Sequence, residues 1–299
     1  MRSIPIVVLV LAITSASTAQ SFRFADDPGA GTLTLNDGER AVLTYRYGDQ
    51  LKEGVDPKYT QSCYIHPLYD LDGQVLTDDS PADHRHHHGV FWTWPRMKVR
   101  GKSVQTWAPC TPPLRQQFVK WLRQEAGDKA VTLSVQNEWK LADERVGLET
   151  VTLVVHRADE VARAIDMTLT FEAVGGPVEL LGADKKGYGG LCVRLAPPFK
   201  GGTMTTDAGT LTKDSTNVPY RWADLSAGGR GVAVLVHSDH PNYPPTWLIR
   251  NSYAGILNVS WPGLQPVTLQ PGEPVTLRYR LYVHRGEMFL PIGRPDSRP

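Results

Sequence analysis

The chain has 299 residues, with 32 Lys and Arg against 31 Asp and Glu and a formal net charge of +1 at pH 7. Basic residues scattered along the chain argue against a nucleic-acid partner, which needs a basic patch or stripe. Three cysteines are too few for a disulfide framework, and after the leader no segment is long and apolar enough to cross a bilayer.

The chain opens with Met1-Arg2, an apolar stretch from Ile4 to Ile13, and Ser17-Thr18-Ala19. A basic residue, a short apolar core and small residues two apart are the parts of a secretory signal peptide. The expected organisation is a signal peptide over 1–19, one β-sandwich domain over 20–290 and a frayed tail over 291–299. The product is expected to be exported, to the periplasm or the medium. No cysteine follows the cleavage site after Ala19, so a lipid anchor is not indicated.

Hairpin turns are expected at Asn36-Asp37-Gly38, Asp72-Gly73, Arg100-Gly101-Lys102 and Gln270-Pro271-Gly272, because tight turns need positive φ angles. Cys63, Cys110 and Cys192 allow one bridge with a thiol left over, or are three small buried hydrophobes.

Asp83-His84-Arg85-His86-His87-His88-Gly89 holds four of the nine histidines. In an extended chain His84, His86 and His88 face one way and His87 the other. Such an HxH pair can grip a divalent transition metal or supply a proton donor near neutral pH. A His-rich surface loop without a role is the alternative. No glutamate occurs between His88 and Glu125 to complete a cupin-like metal set. Trp92 and Trp94, in phase on the strand that follows, are expected to pack inside.

From Ala130 to Ala173 three strands are expected, Ala130–Ala142, Glu144–Arg157 and Val161–Ala173, forming an antiparallel meander. In the last, Ile165, Met167, Leu169 and Phe171 alternate with polar residues, the two-residue period of a half-buried strand. Glu149 is in phase with Val151, Leu153 and Val155, so its carboxylate points toward the apolar face, as does Asn137. A carboxylate directed inward must be paired, hydrogen-bonded or protonated. It is either a candidate acid or base or one half of a structural ion pair with an arginine such as Arg194. Glu138, of opposite phase, should be solvated.

Gly187-Tyr188-Gly189-Gly190-Leu191-Cys192-Val193-Arg194 combines flexible backbone, a phenol and a guanidinium. It either lets a ligand approach closely or is a glycine-rich start of a strand. Trp222 and Asp224, then His240-Pro241-Asn242 with Trp247 and Arg250, form a second polar-aromatic group suited to a sugar. Aromatic rings stack on its C–H face while polar groups hold its hydroxyls. Gly231–His237 is a continuous apolar run for a strand buried on both faces, and Val275–His284 alternates again. With no long amphipathic helix, the fold class is all-β, a large two-sheet antiparallel sandwich.

At these motifs the chain resembles a bacterial family of unknown function labelled PmoA-like, or methane-oxygenase-like. The resemblance lies in His66-Pro67-Leu68-Tyr69, Asp83 through Trp92, Gly190 through Arg194, Trp222-Ala223-Asp224, and His240-Pro241-Asn242 through Trp247 and Arg250. Many members of that family carry Arg in the last position before the glycine, where this chain has His88, which weighs against a shared role for that histidine. A methane monooxygenase subunit spans the membrane several times, so the label carries little weight. Members look like galactose-mutarotase-type sandwiches and accompany sugar-degradation genes, which implies carbohydrate chemistry. The resemblance then makes His86 or His87 the acid, with His84 beside them, and Glu149 or Asp224 the base. Arg194 and Arg250 would orient hydroxyls or an acidic substituent, with Tyr188, Trp222, His240, Asn242 and Trp247 as further sugar contacts.

Three functions are therefore weighed: a metal-free enzyme acting on a sugar or glycoside, a metalloenzyme using His84, His86 and His88, and a non-catalytic carbohydrate-binding protein. No cofactor is expected in the first.

Overall fold

The structure, a computed structural model, describes residues 21–287. The expected signal peptide and the tail from Pro291 lie outside the described residues. The architecture is two nine-stranded antiparallel sheets, packed face to face, with a small four-stranded sheet beside them.

In spatial order the first sheet runs Phe22–Asp27, Thr32–Asp37, Arg40–Arg46, Tyr64–Leu68, Val90–Thr93, Gly190–Arg194, Ile256–Ser260, Thr246–Arg250 and Ser215–Pro219. The second contains the expected meander as Ala130–Leu141, Glu144–His156 and Ala162–Ala173. Their registers pair Val151 with Val135 and with Leu169, so the three apolar rows share one face. That face and the inner face of the first sheet form one core, including Trp92, Trp94, Trp139, Phe171 and Trp247. Among the described residues no helix is long and apolar enough to cross a membrane.

Each large sheet also carries apolar residues on its outer face. On the first, Tyr64, Phe91, Trp107, Cys192, Ala254 and Ile256 form a separate cluster. On the second, Ala162, Ala164, Ala233, Leu235 and Tyr282 form another, with Trp222 against it. Trp92 therefore points between the sheets while Phe91 points out.

Asn36 through Gly38 and Arg100 through Lys102 turn hairpins as expected. The three cysteines are free thiols, Cys63 and Cys192 buried. Glu138 departs from expectation: it is buried and ion-paired with Arg145 and Lys140 rather than solvated. Those long basic side chains fold over the strand face.

Candidate functional site

The histidine motif is not an extended strand. His84 N–H donates to Pro81 O and His87 N–H to His84 O, two consecutive turns closed by Ser80 N–H to His87 O at 2.8 Å. The two-residue alternation expected for the motif is thereby lost. Gly89 ends the turns where a Cβ would lie 2.0 Å from Ile65 O, so the chain crosses its neighbour where only glycine fits.

The turns bring His84, His86 and His87 together over Phe91. His84 stacks on His87 at 4.6 Å between ring centroids, and His86 meets His87 edge-on at 4.8 Å. His88 turns away, its Nδ1 2.7 Å from Asp79 Oδ1, with Arg46 on the other carboxylate oxygen at 3.3 Å. The expected grouping of His84, His86 and His88 is corrected accordingly.

Arg194, at the end of Gly190–Arg194, organises the cluster from below and is 4% exposed. Its Nη2 donates to both oxygens of Asp83 at 3.0 and 3.1 Å, and lies 4.0 Å from Asp78 Oδ2. Its Nη1 lies 3.3 Å from His87 Nδ1. A guanidinium only donates, so Nδ1 accepts and His87 carries its proton on Nε2 as a neutral ring. Burial, then the neighbouring His86, His84 and Arg194, pushes the His87 pKa far below the usual histidine range.

Burial works to raise Asp83, but hydrogen bonds from His84 and Arg194 outweigh it and hold the carboxyl below its ordinary value. The ionised Asp83 accepts from His84 Nδ1 at 3.0 Å, which leaves His84 Nε2 as that ring's free working atom. Asp78 moves the opposite way, raised by burial first, with the charge of Asp83 adding to it.

His86 is half-buried, and no group among the described residues hydrogen-bonds to its ring. Burial, then the nearby His84 and His88, lowers its pKa to about 4, so it is a neutral imidazole at physiological pH. Trp107 stands 6.3 Å from His86 and 5.6 Å from His87. Tyr188 packs on Trp107 at 4.9 Å, and Tyr253 stacks on His84 at 5.7 Å. Arg250 Nη1 donates to the Tyr253 hydroxyl at 2.9 Å.

Two hollows meet at Tyr59 and His88. One, of about 90 Å³, is lined by His86, Trp107, Lys58 and Arg115. The other, of about 290 Å³, is lined by Arg46, Lys52, His66, Asp78 and Asp79.

Residues 32–289 match the pattern of a family of unknown function, DUF6807. The chain belongs to that family. No curated protein matches it in sequence. Solved structures similar to this DUF6807 chain include a heparan sulfate lyase from Pedobacter heparinus, at 9% identity and TM-score 0.46 over 87% of this chain and 36% of that one. The galactosidase domain of an alpha-galactosidase-sucrose kinase gives 12% identity and TM-score 0.45 over 88% and 42%. A GalM/aldose epimerase homologue from C. elegans gives 12% and 0.38 over 90% and 100%. The DUF6807 chain thus spans about 36–42% of the first two, and the likenesses concern fold alone.

Of the site residues expected from sequence, the DUF6807 fold brings together His84, His86, His87, Tyr188, Arg194 and Arg250. It separates the others. Glu149 is fully buried between the sheets, where it accepts from Asn137 Nδ2 at 2.8 Å, Gln116 Nε2 at 2.9 Å and Trp139 Nε1 at 3.0 Å. Its donors are neutral, so the alternative of an ion pair with Arg194 is also corrected. The strand Val90–Thr93 stands between it and the histidines, with Trp92 on one side and Phe91 on the other.

Asp224 faces outward from the second sheet, in phase with Trp222, and meets His284 Nε2 at 2.8 Å. It lies across the whole sandwich from His86. Trp247 is core, its Nε1 donating to Tyr220 O at 2.8 Å. Asn242 ties its loop through Nδ2 to Pro262 O, and His240 Nδ1 accepts from Asn242 N–H within the same loop. The expected second polar-aromatic group is therefore dispersed: only Arg250 comes near the histidines, through Tyr253, which stacks on His84.

Sequence reasoning missed Asp83, Asp78, Trp107 and Tyr253 as site residues. Asp83 was legible inside the motif. Trp107 and Tyr253 sit in irregular segments without periodicity to orient them. Among the described residues no group of three or more His, Cys, Asp or Glu can hold a metal ion. Of the three histidines of the metal alternative, His84 and His86 lie together while His88 turns away to Asp79, so they are not gathered into one set.

Proposed function

We propose that the His84–His87 turns and their aromatic rim bind a saccharide and carry out acid–base chemistry on it, outside the cytoplasm. The observation that carries the reading is His86, a neutral imidazole without a hydrogen-bond partner among the described residues, at the mouth of a hollow. A neutral, accessible ring nitrogen can take a proton, and a bound group that hydrogen-bonds to or carries negative charge beside the imidazolium would restore the basicity that burial removes. His86 takes the proton, and Nε2 of His84, whose Nδ1 proton Asp83 holds, is the second proton-handling atom. This replaces Glu149 and Asp224, which cannot reach the cluster.

A saccharide suits the surroundings. Trp107, Tyr188 and Tyr253 offer ring faces to C–H groups, while Arg250, Asp78 and Asp83 offer donors and acceptors to hydroxyls. The closed network of Asp83, His84, Arg194 and His87 also suits a rigid binding platform without turnover. Turnover separates the two. The purified protein is offered a panel of free hexoses, aryl glycosides and uronic-acid oligosaccharides. Anomer exchange is followed by NMR, and bond cleavage by absorbance. Turnover abolished in His86→Ala supports the enzyme, and binding without turnover supports the platform. A panel that neither binds nor reacts sinks both.

A further inference from the structure

The larger hollow, of about 290 Å³, is walled by polar side chains that hold one another in place on the outer face of the first sheet. Arg46 stands directly opposite Tyr64 in the strand register, and both reach Asp79 Oδ2, at 3.3 and 3.2 Å. Asp79 Oδ1 accepts from His88 Nδ1 at 2.7 Å. Burial works to raise Asp79, but the hydrogen bond from His88 and the nearby charges, Arg46 among them, hold the carboxyl below its ordinary value. The ionised Asp79 keeps a proton on His88 Nδ1, which leaves Nε2 to accept.

That nitrogen is the atom that points to a ligand. His88 is 5% exposed, yet its Nε2, without a partner among the described residues, is not sealed from solvent. His88 lines both hollows, as does Tyr59, so Nε2 opens where the two meet. His66 shares a strand face with Tyr64 and lies within reach of the charges of Asp79, Arg46 and Lys52. Burial first of all lowers it to about 4, so it adds a second neutral ring, with Nδ1 3.0 Å from Thr77 Oγ1. At the rim, Lys52 Nζ lies 3.5 Å from Asp79 O.

Two cations, Arg46 and Lys52, and two carboxylates, Asp78 and Asp79, line this hollow, so its charge is nearly balanced. Closely spaced donors and acceptors without net charge fit a neutral polyhydroxyl compound. The volume is close to the lower end of the roughly 300–1,000 Å³ that small-molecule sites span, whereas the notch beside His86, of about 90 Å³, is far below it.

We propose that the larger hollow is a second saccharide subsite, with His88 Nε2 as its hydrogen-bond acceptor, and that the ligand is a neutral glycoside of two or more sugar units. One unit lies over His86 and Trp107, and the next lies beyond His88. The saccharide rests on the reading above. The subsite rests on Asp79, His88 and the hollow they line.

Two measurements on the full chain test this. In the first, methyl glucosides and galactosides are compared by calorimetry with cellobiose, maltose, lactose and melibiose. At least one disaccharide should bind about tenfold tighter than the matching methyl glycoside, the gain of one or two net hydrogen bonds. His88→Asn should cut that advantage about fivefold, because the Asn amide replaces Nδ1 as donor to Asp79 but has no atom at Nε2. Equal affinity at both lengths, or an advantage undiminished in His88→Asn, overturns the subsite.

In the second, the ring nitrogen resonances of the histidines are followed in the parent chain. The disaccharide should move His66 and His88 together with His84 and His86, and the methyl glycoside only the latter pair. A disaccharide that moves His84 and His86 but leaves His66 and His88 still overturns the subsite and leaves the proposed function standing. Shifts at His66 and His88 alone overturn the proposed function and, with it, the two-unit ligand.

Discussion

Replacing Glu149 tests whether a buried carboxylate serves the fold or the chemistry. In Glu149→Leu, Trp139 Nε1 loses its one acceptor, while Gln116 keeps Trp92 O at 3.4 Å and Asn137 keeps the Tyr45 hydroxyl at 2.8 Å. One buried donor fully orphaned and two half-satisfied cost about 2–4 kcal/mol. For a domain of this size that corresponds to a melting point lower by roughly 5–15 °C. Glu149→Gln should behave differently. Asn137 Oδ1 has no partner among the described residues, so the Asn137 amide can turn over. That oxygen would then accept from both the new amide and the Tyr45 hydroxyl, and the cost falls to about 1 kcal/mol or less.

The two variants also share a pH signature. Burial raises the Glu149 pKa above its ordinary 4.5, so the folded chain holds this proton more tightly than the unfolded one. The stability contributed is present below the unfolded value and is lost as pH rises through the folded value. Both variants lack that slope. Thermal and urea melts between pH 4 and 8, with saccharide binding measured in parallel, provide the assay. Glu149→Leu as stable as the parent would refute the packing argument. Glu149→Gln with normal stability but no saccharide turnover would put the carboxylate back into the chemistry.

His66, His86 and His240 are each lowered by burial to about 4, and His87 further, so between pH 6.5 and 4 the unfolded chain binds more protons than the folded one. Stability is therefore present above 6.5 and lost as pH falls toward 4, by at most about 1.4 kcal/mol per pKa unit and less for the half-exposed His86. A urea midpoint that rises on acidification over that range would contradict this. Arg194→Lys gives up the grip on both oxygens of Asp83 and the bond to His87, and because Asp83 is exposed and the charge is kept it should cost only about 1–2 kcal/mol. It should also release the His87 tautomer, read from its ring nitrogen shifts, and unchanged shifts would count against the network. Asp224→Asn should weaken thermal stability through the Asp224–His284 pair at 2.8 Å, yet leave saccharide affinity unchanged. A lost affinity would place the site on the wrong sheet.

The fold was legible because period-two patterning survives wherever one face of a strand is buried. The meander from Ala130 to Ala173 and the inward phase of Glu149 are both of this kind. The same rule failed at His84 through His88, where turns replace the strand and phase has no meaning. Residue chemistry located the histidines, Tyr188, Arg194 and Arg250, but it could not say which face of which sheet each would occupy. Trp222 and Asp224 look like sugar contacts until the register puts them on the outer face of the second sheet. Trp247 looks like another until its indole is found in the core. Long-range strand order, rather than local pattern, decides these cases, and it is why Trp107 meets His86 across an irregular loop.

The most direct measurement is side-chain nitrogen NMR of the histidines and tryptophans during titration with whichever saccharide of the panel binds. Binding at the first sheet predicts shifts at His84, His86, His87 and the Trp107 indole, with His240 and His284 unmoved. Shifts at His240 or His284 with a silent His86 would contradict the assignment of the site.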